Sequence, residues 1–372
     1  MTGAALRVLY VTQGDTVHDR RFLRAMREAG IESAVVRLTG VPARTPLPAG
    51  MVDLTPRAEA SRRGVGRTLR LRNHLRMAGR DFAPDIVHAG PMQDGAFLAA
   101  LAGLRPLIGM SWGSDLLLGA RRGVGRWQAR WALSRSRLLL CDCQAVRQAA
   151  LGLGATEDRI VVFPWGVDLD HFRPGRERRL RRALGWDDGF VLLSARAFEP
   201  IYGVDVLVDA FLLSAPTEPR LRLLLLGGGS LRPALERRIE QAGLLSRVHF
   251  AGPVLEEHLP DYYRAADLYV SASHSDGTSV SLLEAMACGR PVVVSDLATN
   301  REWVRHEVNG WVFADGDRQA LASQLRRADA MRSQLAAMGT AARATVEQGA
   351  DWRCSSRQLI DSYRMVAGRV PI

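Results

Sequence analysis

The sequence predicts an α/β fold built from two doubly wound parallel sheets, and three observations carry that prediction. Short apolar runs recur between stretches of helical spacing along the chain, the pattern of parallel strands joined by crossover helices. At 372 residues the chain exceeds the size at which a single core stops growing, so two domains are expected. A charged stretch containing Pro and Gly, HFRPGRERRLRRALGWDDG (171–189), separates two such series and marks the boundary, with room for a short helix.

In the first series Leu6 to Thr12 reads as a strand and Gln13-Gly14 as a turn. Phe22, Leu23, Met26 and Ala29, closed by Gly30, have the spacing of a helix. Ala34 to Leu38, Asp85 to His88, Pro106 to Met110, Leu138 to Cys141 and Ile160 to Pro164 are further strands. The second series runs Phe190 to Ser194, Leu221 to Leu226, Val248 to Phe250, Leu268 to Val270 and Pro291 to Val294. Helical patterns such as LRPALERRIEQAGL and EEHLPDYYRAA lie between its strands. A terminal helix over 352–366 has the spacing to cross back onto the first domain. The expected division is 1–170, 171–350 and 351–372. Ligands of such sheets sit beyond the carboxyl ends of the strands, which points Gly14, His18, His88 and the loop SWGSD (111–115) toward one central cleft.

Composition excludes several classes. Hydrophobic residues make up 47% and charged residues 24%, the balance of a packed globular protein. The apolar run in the opening MTGAALRVLYVTQG is too short for a signal h-region, and no run reaches the length of a membrane span. Four unevenly spaced Cys (141, 143, 288, 354) argue for reduced thiols and a cytoplasmic protein. The net charge of +11 is carried by arginine alone, since the chain has no lysine. Any side chain that grips a phosphate must therefore be an arginine, which binds bidentately where lysine is a point charge.

The excess charge lies in the first half, where 24 arginines face 15 acids over residues 1–170. Two Arg-rich segments carry it, 62–80 and 121–137. In them Leu69, Leu71, Leu75 and Met77, and Trp127 with Trp131, suggest basic amphipathic faces for an anionic membrane surface. Solvated faces on an arginine-biased protein are the competing reading. No nucleic-acid motif accompanies the charge, so no nucleic-acid partner is expected.

The stretch SASHSDGTSVSLLEAMACGRPVVVS (271–295) concentrates the chemistry. A polar loop, His274 to Ser279, runs into an apolar helix that ends at Gly289 before another strand. The amides at that helix start, Thr278, Ser279 and Val280, offer an anion site. Asp276 and Glu284 bracket it, and carboxylates suit sugar hydroxyls, so a ligand carrying both phosphate and sugar is indicated. Asp276 also suits a helix N-cap.

The second half resembles the retaining glycosyltransferases of family 4, which have the GT-B fold of two Rossmann-like domains facing a central cleft. The resemblance rests on FPWGVDLDHFRP (163–174), SARAFEPIYGVDVLVDAF (194–211), LLLLGGGSLRPALE (223–236), RVHFAGPV (247–254), YYRAADLYVSAS (262–273) and the stretch through GRPVV (289–293). The first half matches in layout and in PDIVHA (84–89). The family's two glutamates with seven residues between them keep that spacing here, with the first shortened to aspartate: Asp276 and Glu284. The resemblance implies Asp276 on the donor sugar, Glu284 on the ribose, the amides of 278–280 on the diphosphate, and Arg196 as a diphosphate clamp. A second clamp, usually Lys before Gly, is replaced by Tyr202 before Gly203; Arg301 is a candidate substitute. Gly228, within Gly227-Gly228-Gly229, allows close backbone approach.

On the acceptor side the resemblance implies a His where this chain has Trp112, which can stack on a sugar ring. His88, His18 and Asp115 are then the polar candidates, His88 as a catalytic group. Asp315-Gly316-Asp317 imitates the metal-binding Asp-x-Asp of the other large glycosyltransferase fold, but before RQALASQL it reads as a helix N-cap. The expectation is a metal-independent retaining transferase without a cofactor, taking a UDP or GDP sugar to a hydroxyl acceptor, lipid-linked or small. A sugar-nucleotide epimerase and a non-catalytic nucleotide-sugar-binding subunit are the alternatives.

Overall fold

The computed structural model describes residues 5–39, 46–56 and 64–368. It divides into two compact units, one formed by the chain up to Trp165 with the stretch from Arg353 onward, the other by Gly166–Trp352. The first boundary falls a few residues before the charged stretch at 171–189, in which the helix Arg178–Ala183 forms.

The first unit holds seven strands: β1 (Arg7–Thr12), β2 (Glu32–Arg37), β3 (Val52–Asp53), β4 (Ile86–Ala89), β5 (Leu107–Met110), β6 (Leu138–Cys141) and β7 (Ile160–Val162). They pair in parallel in the order β3-β2-β1-β4-β5-β6-β7. The second unit holds β8 (Phe190–Ser194), β9 (Leu221–Leu226), β10 (Val248–Gly252), β11 (Leu268–Ser271), β12 (Val292–Ser295) and β13 (Gly310–Phe313), in the order β10-β9-β8-β11-β12-β13, again parallel. Helices cover both faces of a doubly wound sheet, so its central strands bury residues on both faces instead of alternating. In β8, Phe190 and Leu192 enter the core on one face while Val191 and Leu193 enter the core on the other.

Strand order reverses between β1 and β4 in the first unit and between β8 and β11 in the second. Loops that leave the carboxyl ends of these neighbours splay apart and open a crevice. They carry Gly14 after β1, Arg196 after β8, and the 272–279 segment after β11. β3 and β13 escaped the sequence reading. The first is two residues long, and GWVF in β13 is a four-residue run beginning at a glycine.

Burial corrects one expectation. His88, expected at the acceptor side, sits mid-sheet opposite Tyr10 in the β1–β4 register and is fully buried. Its ring packs edge-on to Tyr10 and Tyr363 and stacks on Phe22, and its Nδ1 is 2.7 Å from the Tyr363 hydroxyl on the terminal helix Trp352–Val366. Its burial keeps it from touching a substrate, and its role here is to tie that helix to β4. Desolvation pushes its pKa from 6.5 down to about 3. Between those values the unfolded chain binds the extra proton, so stability falls as pH drops through the window, by up to about 1.4 kcal/mol per pH unit. The melting temperature of the protein should therefore fall more steeply between pH 6.5 and 4 than that of His88→Leu; equal slopes would refute this role.

Candidate active site

The site in the second unit is built from the two loops flanking the β8–β11 reversal and from the helix Val280–Ala287. Arg196 follows β8 closely, and its side chain is only 10% exposed. Its Nη2 pairs with Asp276 Oδ2 at 2.6 Å, and its Nη1 donates to Ser279 Oγ at 2.8 Å and to Ser281 Oγ at 3.4 Å. Its Nε is buried with no hydrogen-bond partner, which is costly for a donor unless a ligand meets it. The guanidinium lies 4.2 Å over the ring of Tyr202.

Ser279 is the N-cap residue of the helix, yet its side chain makes no capping bond. Its hydroxyl serves Arg196 instead. The helix start therefore keeps N–H groups that have no acceptor within the helix, alongside the positive end of its dipole. Asp276 lies ahead of the capping position and pairs with Arg196 instead of closing the helix. Burial pushes its carboxyl above the ordinary carboxylate range, and Arg196 pulls it back only in part. Thr278 and Val280 flank the cap and are buried.

Glu284 is 4% exposed and accepts a 2.9 Å hydrogen bond from the Tyr263 hydroxyl. Tyr263 comes from the helix Leu259–Ala265 and stands among Phe172 and Tyr269. A buried carboxylate held this way has one defined orientation. The Tyr263–Glu284 pair was missed from sequence, where Tyr263 in PDYYRAA reads as an ordinary core aromatic.

The glycine triplet also differs from expectation. Gly228 has open space where a side chain would begin. A Cβ at Gly227, at φ 108°, would lie 3.2 Å from Arg196 O, and one at Gly229, at φ 156°, 2.5 Å from Phe198 O. The triplet thus lets the loop after β9 press against the backbone of the Arg196 loop, a contact closed by Phe198 N–H to Gly228 O (2.9 Å) and by Glu199 accepting from Ser230. The helix that follows starts only at Arg232.

Arg301 does not join the group; it pairs with Asp296 at an exposed position. Asp317 caps the helix Arg318–Ala330 by accepting from the amides of Gln319 and Ala320, as its sequence context suggests, and Asp315 is 2.7 Å from His274 Nδ1.

In the first unit Gly14 and His18 are half-buried, on the turn after β1 and in the first turn of the helix Val17–Glu28. Asp19 forms a capping box with Thr16 and also accepts from Tyr10. The carboxylate of Asp115 accepts from Ser111 Oγ, Trp112 N and Met92 N at 2.7 to 3.0 Å, so it shapes the SWGSD loop. Trp112, on that loop, is half-buried.

The switch point of this sheet thus gathers donors for an anion, Arg196 and the start of the helix Val280–Ala287, together with the carboxylates of Asp276 and Glu284. Comparison with known proteins gives the family. The model described as "Glycosyltransferase Family 4" matches residues 14–171, and that described as "Glycosyl transferases group 1" matches 176–345. The chain belongs to glycosyltransferase family 4. It is 37% identical over 233 residues to a D-inositol 3-phosphate glycosyltransferase of Xylanimonas cellulosilytica, covering 59% of this chain and 54% of the relative. A protein of the same name from Geodermatophilus obscurus is 35% identical over 54% of this chain and 47% of its own length. The chain spans about half the length of these curated relatives. Among solved structures, Anabaena HepE in complex with UDP and glucose superimposes with a TM-score of 0.82, covering 97% of this chain and all of that one at 20% identity. Sucrose-phosphate synthase from Thermosynechococcus elongatus gives 0.83, covering 98% and 100% at 19% identity. These two show the GT-B fold.

Proposed function

We propose that the protein is a retaining, metal-independent glycosyltransferase that moves a sugar from a UDP-sugar to a hydroxyl acceptor. The observation that carries this reading is Arg196, nine-tenths buried and held by Asp276, Ser279 and Ser281 at the start of a helix whose N-cap residue, Ser279, makes no side-chain capping bond. In this assignment the amides of Thr278, Ser279 and Val280 and the guanidinium of Arg196 receive the diphosphate. Asp276 takes hydroxyls of the donor sugar, and Glu284 those of the ribose. As the bond from the anomeric carbon to the diphosphate breaks, charge accumulates on the β-phosphate, where fixed N–H dipoles and one guanidinium stabilise it without reorganisation. The acceptor oxygen bonds to the anomeric carbon on the face the phosphate leaves, and its proton passes to that phosphate. Asp315 and Asp317 are engaged by His274 and by helix capping, which favours charge neutralisation by the helix and Arg196.

Uridine is the base of choice because the Anabaena HepE structures that this chain resembles hold UDP, or UDP with glucose, and none of these supports the guanosine arm of the expectation. The curated relatives make an inositol phosphate the first acceptor to try. Their names favour transfer over epimerisation or binding alone. Gly14, His18 and Trp112 remain the proposed acceptor-side contacts, with Asp115 holding the loop of Trp112. The test is turnover of UDP-glucose by the protein and by Asp276→Ala and Glu284→Ala, and unchanged activity in both variants would sink the assignment.

We also propose that the first unit docks on anionic membrane and that the protein works in the cytoplasm; none of its cysteines is in a disulfide. No helix among the described residues is long and apolar enough to cross a membrane. The helices Val65–Phe82 and Gly123–Arg135 both pack on the helix Phe97–Leu101, and they leave Val65, Met77, Val124 and Trp127 more than half exposed among arginines. Leu71 and Leu75 are buried, so the exposed apolar face is narrower than the sequence suggested; Arg62 and Arg63 lie outside the described residues. Co-sedimentation with phosphatidylglycerol vesicles but not phosphatidylcholine vesicles is expected. Binding to neither would remove the docking face.

A further inference from the structure

Tyr202 stands where a clamping cation was expected, and its surroundings give it a different task. It ends the short turn Pro200–Tyr202, which the amide of Tyr202 closes onto Glu199 O at 2.9 Å. Gly203 follows at φ 58°, and a Cβ there would lie 2.0 Å from Ala272 O, so the turn rests directly on the loop after β11. That seat, tightened by His274 N–H to Ile201 O at 2.9 Å, fixes the backbone of the turn, and the half-buried Tyr202 side chain packs against the core of the second unit. The guanidinium of Arg196 lies 4.2 Å above the ring centroid, with Asp276 and Ser279 on its two terminal nitrogens. A guanidinium over an aromatic face is attracted by the ring quadrupole, and more strongly where water is excluded.

We infer that Tyr202 is a positioning residue: its ring is the shelf that fixes Arg196 at the start of the helix Val280–Ala287, so that one preorganised arginine grips the diphosphate where two mobile cations would otherwise be needed. The inference rests on the donor-site reading and deepens it. In this arrangement the anion meets a guanidinium already turned by the ring, the acid and the two serines, and little side-chain entropy is lost on binding. The neutral Ser279 and Ser281 hydroxyls are the partners that Nη1 gives up most easily to a phosphate, while Asp276 keeps Nη2.

The ring face, not the hydroxyl, carries the effect, and this separates the proposal from simple packing. Binding of UDP is measured by calorimetry on the whole protein and on Tyr202→Phe, Tyr202→Leu and Arg196→Gln, with melting curves as the check on folding. Tyr202→Phe should stay within about twofold of the parent, whereas Tyr202→Leu, which keeps apolar bulk but has no π face, should bind about tenfold more weakly. In turnover the Leu variant should raise KM for the donor more than it lowers kcat. Combined with Arg196→Gln, the Leu substitution should cost almost nothing further, because it acts through the arginine. Should Tyr202→Leu unfold, Tyr202→Met takes its place. Equal UDP binding by the Phe and Leu variants, or additive losses in the double variant, would overturn the inference. A parent protein that binds no UDP would instead overturn the donor-site reading itself.

Discussion

Replacing Arg196 by Gln is expected to lower kcat/KM for a UDP-sugar by about 100- to 1000-fold, the range for removing one preorganised donor that faces developing negative charge. Two effects combine. The leaving diphosphate loses its only guanidinium in the described group around the helix start, and Asp276, 17% exposed, loses its ionic partner at 2.6 Å. An uncompensated buried charge destabilises the protein, so a loss of activity could come from either source. Melting curves separate them: Arg196→Gln with Asp276→Asn should recover much of the melting temperature lost by Arg196→Gln, while turnover of Arg196→Gln well below its own melting temperature reports the missing guanidinium alone. Arg196→Lys should fall between, since a point charge cannot serve Asp276 and the two serines in one plane. A change of less than about tenfold in kcat/KM for Arg196→Gln would remove it from the reaction.

Gly203→Ala is expected to cost the second unit about 3 kcal/mol. A residue with a Cβ pays about 1–2 kcal/mol for the left-handed conformation alone. The methyl would also sit 2.0 Å from the carbonyl oxygen of Ala272, a backbone atom that cannot move without shifting the end of β11. At about 2–4 °C per kcal/mol for a unit of this size, the melting temperature should drop by roughly 6–12 °C. Gly228→Ala, where nothing lies within 4 Å, is the matched control and should leave it nearly unchanged. Equal melting of Gly203→Ala and the parent would mean that the turn is not held as described.

The same two glycines show what a sequence reveals and what it hides. Strands such as VVVS and the apolar run of β8 are legible because a doubly covered sheet tolerates no polar face, and the series of them gives the fold. The acid pair Asp276 and Glu284 is legible from its spacing around a polar loop and a helix start. Which glycine of the triplet is obligatory is not, because that depends on the Phe198 carbonyl from a loop some thirty residues earlier in the chain. The stack of Arg196 on Tyr202 leaves no pattern either; it depends on a turn seated against Ala272. His88 was misplaced although a signal existed. In IVHA every residue of β4 is buried, and a histidine inside a strand covered on both faces has no solvent side to reach.

Burial also sorts the acids of the second unit by use. Asp317 and Asp315 spend their carboxylates on capping and on His274, while Glu284 is locked by Tyr263 and Asp276 by Arg196. Asp276 lies just ahead of the helix Val280–Ala287, whose N-cap residue makes no side-chain capping bond, and Glu284 lies within that helix.

Sugar transfer from a UDP-sugar at the Arg196, Asp276 and Glu284 group is tested by following UDP release and the anomeric proton of the product by NMR. UDP-glucose is supplied with and without an inositol phosphate acceptor, to the protein and to Asp276→Ala and Glu284→Ala. Acceptor-dependent UDP release and a product with the donor's anomeric configuration are expected, with both lost in each variant. A donor converted without acceptor, an inverted product, or full activity in both variants would contradict it.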